Sequence, residues 1–286
     1  ELVVFSLAAP AKGGVLLSGT ADQDGFYHDK GLNAYPSKRL AGISQWSHTN
    51  RDTFSIAYSQ SDPLRVVRVG GARWNSNFTG ATSTDGGLTW QKFASFPANT
   101  LPLRVAVSAN NPNLFVVAVS EGKAIRTTDG GASWSAVSGL PLGPKGPWYW
   151  GEPLAADKVD GNTFYYYSDR QVYRSNDGGA SWRVVNSSLP NSEWVLDKLK
   201  TVPGAKGEVL LSLEWKGLFR STDGGNTFAK LNSVESARLF AFGKPPGGST
   251  TPALYLYGKV VGQEEGIFRS LDKGQTWTSI GSPENP

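Results

Sequence analysis

Thr127-Thr128-Asp129-Gly130-Gly131-Ala132-Ser133-Trp134 is the stretch that decides the fold. The same chain repeats it at Ser83–Trp90 (STDGGLTW), Ser175–Trp182 (SNDGGASW), Ser221–Phe228 (STDGGNTF) and Ser270–Trp277 (SLDKGQTW). The aspartates, Asp85, Asp129, Asp177, Asp223 and Asp272, stand 44, 48, 46 and 49 residues apart. A period of about 40–50 residues built from strand-like segments marks a β-propeller, one four-stranded blade per repeat. Around Asp129 the strands read Leu103–Ser108, Leu114–Ser120, Ala124–Thr128 and Trp134–Ser138, with turns between them. The repeated stretch is therefore the turn from the third strand to the fourth. Its Asp accepts backbone and hydroxyl hydrogen bonds, a glycine takes positive φ, and the Ser or Thr closes the turn. The Trp or Phe opens the fourth strand and packs between blades.

This turn is similar to the Asp-box, or BNR motif, of sialidases, sortilin-like receptors and several glycoside hydrolases. Five copies specify scaffold and say little about chemistry. A length of 286 residues divided by a period of about 47 gives six blades, near 1–52, 53–101, 102–150, 151–193, 194–235 and 236–283. A propeller must close to hide its edge strands, so the expectation is an all-β, single-domain propeller of six to seven blades over 1–286. The seventh blade, if there is one, comes from chain outside these residues. Abundant turn formers and aromatics (34 Gly, 17 Pro, 10 Trp, 10 Tyr) agree with the all-β reading.

Composition removes several function classes. Net charge is +4 and spread thinly, which makes neither a nucleic-acid nor an anionic-membrane surface. No apolar run approaches the ~18–20 residues of a membrane helix. With no Cys and only His28 and His48, no zinc pattern forms, and no metal or cofactor is expected. Nor does a nucleophile-elbow motif support a Ser-His-Asp triad. A sialidase would need three clustered arginines, and Arg39, Arg65, Arg68, Arg73 and Arg104 show no such grouping, which leaves it a poor second. Glu1 rather than Met opens the chain, as in a processed or excised piece. The sequons at Asn77 and Asn186 agree with a secreted, extracellular location.

The unusual residues fall in particular connections. In a meandering blade, the turns between strands one and two and between strands three and four share one end. The second-to-third loops and the crossovers to the next blade share the other. Trp46, Trp74, Trp148, Trp150, Trp194 and Trp215 all read as belonging to that second end, with Asp22, Asp24, Asp52, Glu152, Glu193, Glu214, Glu264 and Glu265. Flat apolar rings in loops suit stacking on sugar faces, and carboxylates beside them suit a carbohydrate cleft wide enough for a polymer.

At this point the chain resembles glycoside hydrolase family 74, the xyloglucanases, in their second propeller. The resemblance rests on GGVLLSGTADQDGFYHDKGLNAYPS (13–37), PLRVVRVGG (63–71), LKTVPGAKGEVLLSL (199–213) and FAFGKPPGGSTTPALYLYGKVVGQEEGIFRSLDKGQTW (240–277). It implies inverting cleavage of the β-1,4-glucan backbone of xyloglucan in a cleft between two propellers. The family's acid lies in a G-D-x-x-G-F-x-H-like run, which here is Ala21-Asp22-Gln23-Asp24-Gly25-Phe26-Tyr27-His28 and puts the general acid at Asp22. Asp24 departs from the family's usual Gly and could modulate Asp22. Tyr27, His28, Trp46, Trp74, Trp148, Tyr149, Trp150, Trp194 and Trp215 are the expected substrate contacts. The base would belong to an N-terminal propeller domain or chain, which is the expected partner beside a xyloglucan or related β-glucan oligosaccharide. Two other readings stay open: a non-catalytic carbohydrate- or protein-binding propeller, and a propeller that serves as an assembly factor or receptor module.

Overall fold

Short strands alternate with tight turns throughout the computed structural model, which describes residues 3–36, 38–40, 51–73, 76–191 and 196–281. The strands form six four-stranded sheets, the blades of a β-propeller fold. The first sheet is β1 (Val4–Ala8), β2 (Leu16–Thr20), β3 (Gly25–His28) and β4 (Lys38–Arg39). The second is β5 (Asp52–Tyr58), β6 (Val66–Ala72), β7 (Asn77–Ser83) and β8 (Gln91–Lys92). The third is β9 (Pro102–Val107), β10 (Phe115–Val119), β11 (Ile125–Thr127) and β12 (Ser135–Ala136). The fourth is β13 (Leu154–Ala156), β14 (Phe164–Ser168), β15 (Gln171–Ser175) and β16 (Arg183–Asn186). The fifth is β17 (Lys198–Thr201), β18 (Val209–Ser212), β19 (Leu218–Ser221) and β20 (Ala229–Lys230). The sixth is β21 (Val234–Gly243), β22 (Ala253–Val260), β23 (Gly266–Ser270) and β24 (Thr278–Gly281). Each sheet is a meander in chain order, as the repeat around Asp129 implied.

By its contacts the chain divides into two compact units: Glu1–Trp150 with Gly161–Phe164 and Ser175–Arg183, and Gly151–Asp160 with Tyr165–Arg174 and Val184–Pro286. In the first unit, β9 and β10 are buried at every residue. That is why Phe115-Val116-Val117-Ala118-Val119 is continuously apolar: both of its faces meet other side chains. Val67 and Val69 of β6 pack with Val105, Val107, Phe115 and Val117, so this core lies between the second and third sheets. The outer strand β12 is exposed. In the second unit, Leu199, Leu211 and Phe219 pack with Tyr165, Tyr167 and Val172. A separate cluster there joins Leu210 and Leu218 to Phe240, Leu254 and Phe268.

The Asp-box turns do the bonding their residue types require. Asp177 Oδ1 accepts the N–H of Ala180 (3.1 Å) and of Ser181 (3.0 Å) and the hydroxyl of Ser175 (2.7 Å). Its Oδ2 takes the Ser181 hydroxyl at 2.5 Å. Partial burial pushes the Asp177 pKa up, but these donors outweigh it and hold the carboxyl down, to about 2. The ring that follows the turn fastens blades together: Trp134 donates from Nε1 to the Ser95 carbonyl at 2.9 Å and packs on Phe93 and Phe115.

Gly131 combines φ of +94° with a Cβ site 2.5 Å from the Phe93 ring, so both backbone and space exclude a side chain. Gly131→Ala is expected to cost about 2–4 kcal/mol in denaturant unfolding. Gly247→Ala, at a site with open space around it, is expected to be neutral within about 0.5 kcal/mol. Equal effects at the two positions would contradict this account.

Candidate functional site

The β2–β3 connection, Ala21 to Asp24, is a tight turn in which Asp22 and Asp24 hold left-handed backbone, φ +63° and +62°. Asp tolerates this conformation better than most residues, because its short side chain can bond locally. Main-chain bonds tie the turn to its surroundings: Ala21 N–H to Val3 O (2.9 Å) and Asp24 N–H to Arg51 O (3.0 Å). As the sequence reading expected, these carboxylates lie in a second-to-third-strand loop and not in an Asp-box.

Asp52, the first residue of β5, is fully buried beside them. Its Oδ1 accepts the Asp22 N–H at 2.9 Å. Arg73, just past the end of β6, bridges the two acids: Nη2 donates to Asp22 Oδ1 at 2.6 Å, and Nε lies 2.5 Å from Asp52 Oδ2. Burial pushes the Asp52 carboxyl up to about 6, against the lowering effects of the Asp22 N–H and the Arg73 charge, while the Asp22 charge adds to the rise. Asp22 itself has a half-exposed side chain (51%), which makes it the accessible member of the trio Asp22, Asp24 and Asp52.

Asp24 lies 4.0 Å from both Arg51 and Arg68. Burial raises its pKa, opposed by Arg68, Arg51 and Arg39. Fully buried Arg68 is pulled down to about 10 by burial, with Asp24 working the other way and Arg51 adding to the fall. The acid that shares a cation with Asp22 is thus Asp52, not Asp24. Sequence reading put Asp52 on the same end of the blades but gave it no role. A charged Asp at the head of an otherwise uncharged strand was the available signal.

Trp148 and Trp150 stand on the crossover after β12. Each stacks on Phe5, with ring centres 5.6 and 5.0 Å away. The Arg73 guanidinium sits 4.5 Å from the Trp148 ring centre, which joins this aromatic group to the carboxylates. Trp148 is about half exposed and open to a ligand. Buried Arg104 fixes the crossover by donating to the carbonyls of Phe54, Leu103 and Tyr149 (2.8 Å for the last).

Two expected contacts lie away from Asp22. Tyr27 is a core residue, packed with Ala8, Leu17, Leu40, Ile56 and Val66. Successive side chains of β3 face opposite sides, and Tyr27 falls on the inner one. His28 pairs with Leu16 at the far end of β3 from Asp22 and meets the Ser18 hydroxyl at 3.1 Å. Trp215, in the second unit, is exposed in the β18–β19 connection. Trp46, Trp74 and Trp194 lie outside the described residues, as do His48 and Glu193.

Residues 81–92 match the BNR/Asp-box repeat family. The whole chain is similar to xyloglucanases. It is 32% identical to a xyloglucanase of a Paenibacillus species over 98% of this chain and 26% of that protein. It is 33% identical to xyloglucanase Xgh74A of Acetivibrio thermocellus over 100% of this chain and 32% of that one. The crystal structure of the GH74 xyloglucanase from Xanthomonas campestris superposes with a TM-score of 0.81 at 32% identity, covering 99% of this chain and 38% of that one. The chain thus spans about a third of the length of these relatives, and it is consistent with a propeller domain of their family.

The raised Asp52 pKa has a consequence for stability. The folded state holds the Asp52 proton more tightly than the unfolded chain, whose Asp titrates near 3.9. Its contribution is therefore complete below about pH 4 and is lost as pH rises through about 6, for a total of about 3 kcal/mol. Asp52→Asn is expected to remove this pH dependence in denaturant unfolding between pH 4 and 7.5. Parallel curves for the two proteins would refute the assignment.

Proposed function

From a chain that resembles family 74 xyloglucanases from end to end, we propose a xyloglucan hydrolase in which this propeller carries the general acid, Asp22, and one wall of the cleft. The observation that carries the reading is Asp22 itself: an exposed carboxylate in the family-like run, linked through Arg73 to an open tryptophan. A sugar ring stacked on Trp148 would bring a glycosidic oxygen toward Asp22. Asp22 would then protonate that oxygen as the bond to the anomeric carbon breaks. An inverting reaction needs a second carboxylate about 6.5–9.5 Å away, with a water between, on the opposite side of the bond. That base is assigned to a further domain or chain facing this propeller. The polymer is met outside the cell, so secretion belongs to the same proposal.

Arg73 matters to this mechanism. In the free chain it engages both Asp22 and Trp148. A sugar that stacks on Trp148 would take the ring face that the guanidinium now covers, while Asp22 and Asp52 hold Arg73 at the edge of the cleft.

The test is release of reducing ends from xyloglucan, with and without a partner propeller. With the partner, Asp22→Asn is expected to lower kcat by about 10²–10⁴-fold with little change in KM. Trp148→Ala is expected to raise KM by about tenfold, the loss of one stacking contact. Activity that survives Asp22→Asn would sink the acid assignment. Oligosaccharide binding with no hydrolysis under any pairing would favour a binding module instead.

A further inference from the structure

Asp-boxes two to five of the six sheets bond to their own blade in one way. The first glycine after the Asp donates its N–H to the connection between strands one and two: Gly86 to Leu64, Gly130 to Asn113, Gly178 to Asn162 and Gly224 to Gly207, each at 2.9 Å. The carbonyl of that glycine can also take an arginine from the preceding third strand. Arg126 donates to Gly178 O at 2.6 Å, and Arg174 to Gly224 O at 2.7 Å.

The fifth box, in the sixth sheet, breaks both contacts. Lys273 stands where the glycine would be, with φ +67° against +72° to +77° for the four glycines, so its peptide groups point much as theirs do. Yet among the described residues its N–H and carbonyl make neither bond. Arg220, the counterpart of Arg126 and Arg174, is held instead by Glu208 at 2.6 Å. The connection between β21 and β22 spans nine residues, where the corresponding connections of the second to fifth sheets span seven. The longer connection leaves a cavity of about 160 Å³ between Glu208, Arg220, Phe242, Thr251, Pro252 and Lys273.

We propose that this cavity is a binding site for a single neutral sugar ring. It is distinct in residues from the Asp22 site, and the proposal stands whether or not Asp22 is a catalytic acid. Space of about 150 Å³ admits one six-membered ring, as benzene in a dry engineered cavity shows. Here the wall is polar on one side, so the ring must be polar too. Sugar hydroxyls donate and accept, as needed to satisfy Lys273 N–H, Lys273 C=O, Thr251 and the Glu208 carboxylate together. Phe242 and Pro252 offer an apolar surface for the C–H face of the ring. An anion is disfavoured because Glu208 already neutralises Arg220 and would have to be displaced. An apolar guest is disfavoured because it would leave the Lys273 peptide groups without the bonds that the four glycines make.

The experiment is saturation-transfer NMR and calorimetry with glucose, xylose and a xyloglucan oligosaccharide on the chain carrying Asp22→Asn and Trp148→Ala, which disables the other site. Binding in the range of about 1–10 mM is expected to persist in this background. Thr251→Trp, which fills the cavity and leaves the ion pair intact, is expected to weaken it at least tenfold with Tm unchanged. Glu208→Gln is expected to weaken it similarly and serves as an independent probe. Sugar binding that neither variant alters, no binding up to about 50 mM, or a preference for sulfate or citrate over sugars would each overturn the proposal. Loss of xyloglucan hydrolysis on Asp22→Asn, measured separately, bears only on the catalytic reading.

Discussion

A carboxylate caged by its own turn organises each Asp-box blade. In Asp177, one oxygen accepts the N–H groups of Ala180 and Ser181 further along the turn and the hydroxyl of Ser175 before it, and the other accepts the closing Ser181 hydroxyl. Such a turn cannot slide, because its acceptors are saturated by local groups at fixed spacing. The fourth strand therefore starts at a set position, and the Trp that opens it arrives where a neighbouring sheet needs a ring. Trp134, bonded to Ser95 just past the second sheet, shows the sequence of cause: turn chemistry fixes register, register places the ring, and the ring joins sheets.

A rigid scaffold of this kind frees the opposite end of each sheet for irregular loops. The first unit uses that freedom to bring together residues from distant segments: Asp22 from one connection, Asp52 from the head of a strand, Arg73 from the end of another, and Trp148 from a crossover. Arg73 is the junction, in contact with two acids and an indole. Asp52 sets the geometry from beneath, because it holds both the Asp22 main chain and the Arg73 cation while itself hidden from solvent. An exposed carboxylate fixed by a buried one can meet a ligand without being free to wander.

Departures from the repeat are informative for the same reason. Where Lys273 replaces a glycine and Arg220 pairs within its own blade, the structure gives up one bond that all four sister repeats keep and another that two of them keep. Loss of regular bonding in an otherwise regular array leaves polar groups and space together.

The sequence by itself determined the elements that depend on short-range chemistry. Five Asp-boxes at even spacing set the blade pattern and the strand order, because a turn of this type bonds to itself. What only the tertiary structure decided is which side chains meet. Alternation along β3 puts Phe26 and Tyr27 on opposite faces, but the partners that make one face inner come from β1, β2, β5, β6 and Leu40, and they buried Tyr27. The pairing of Asp22 with Arg73 and Asp52 joins residues 51 and 30 positions away. No local rule reaches that far: the blades must first pack before a buried acid, an arginine and a tryptophan become one site.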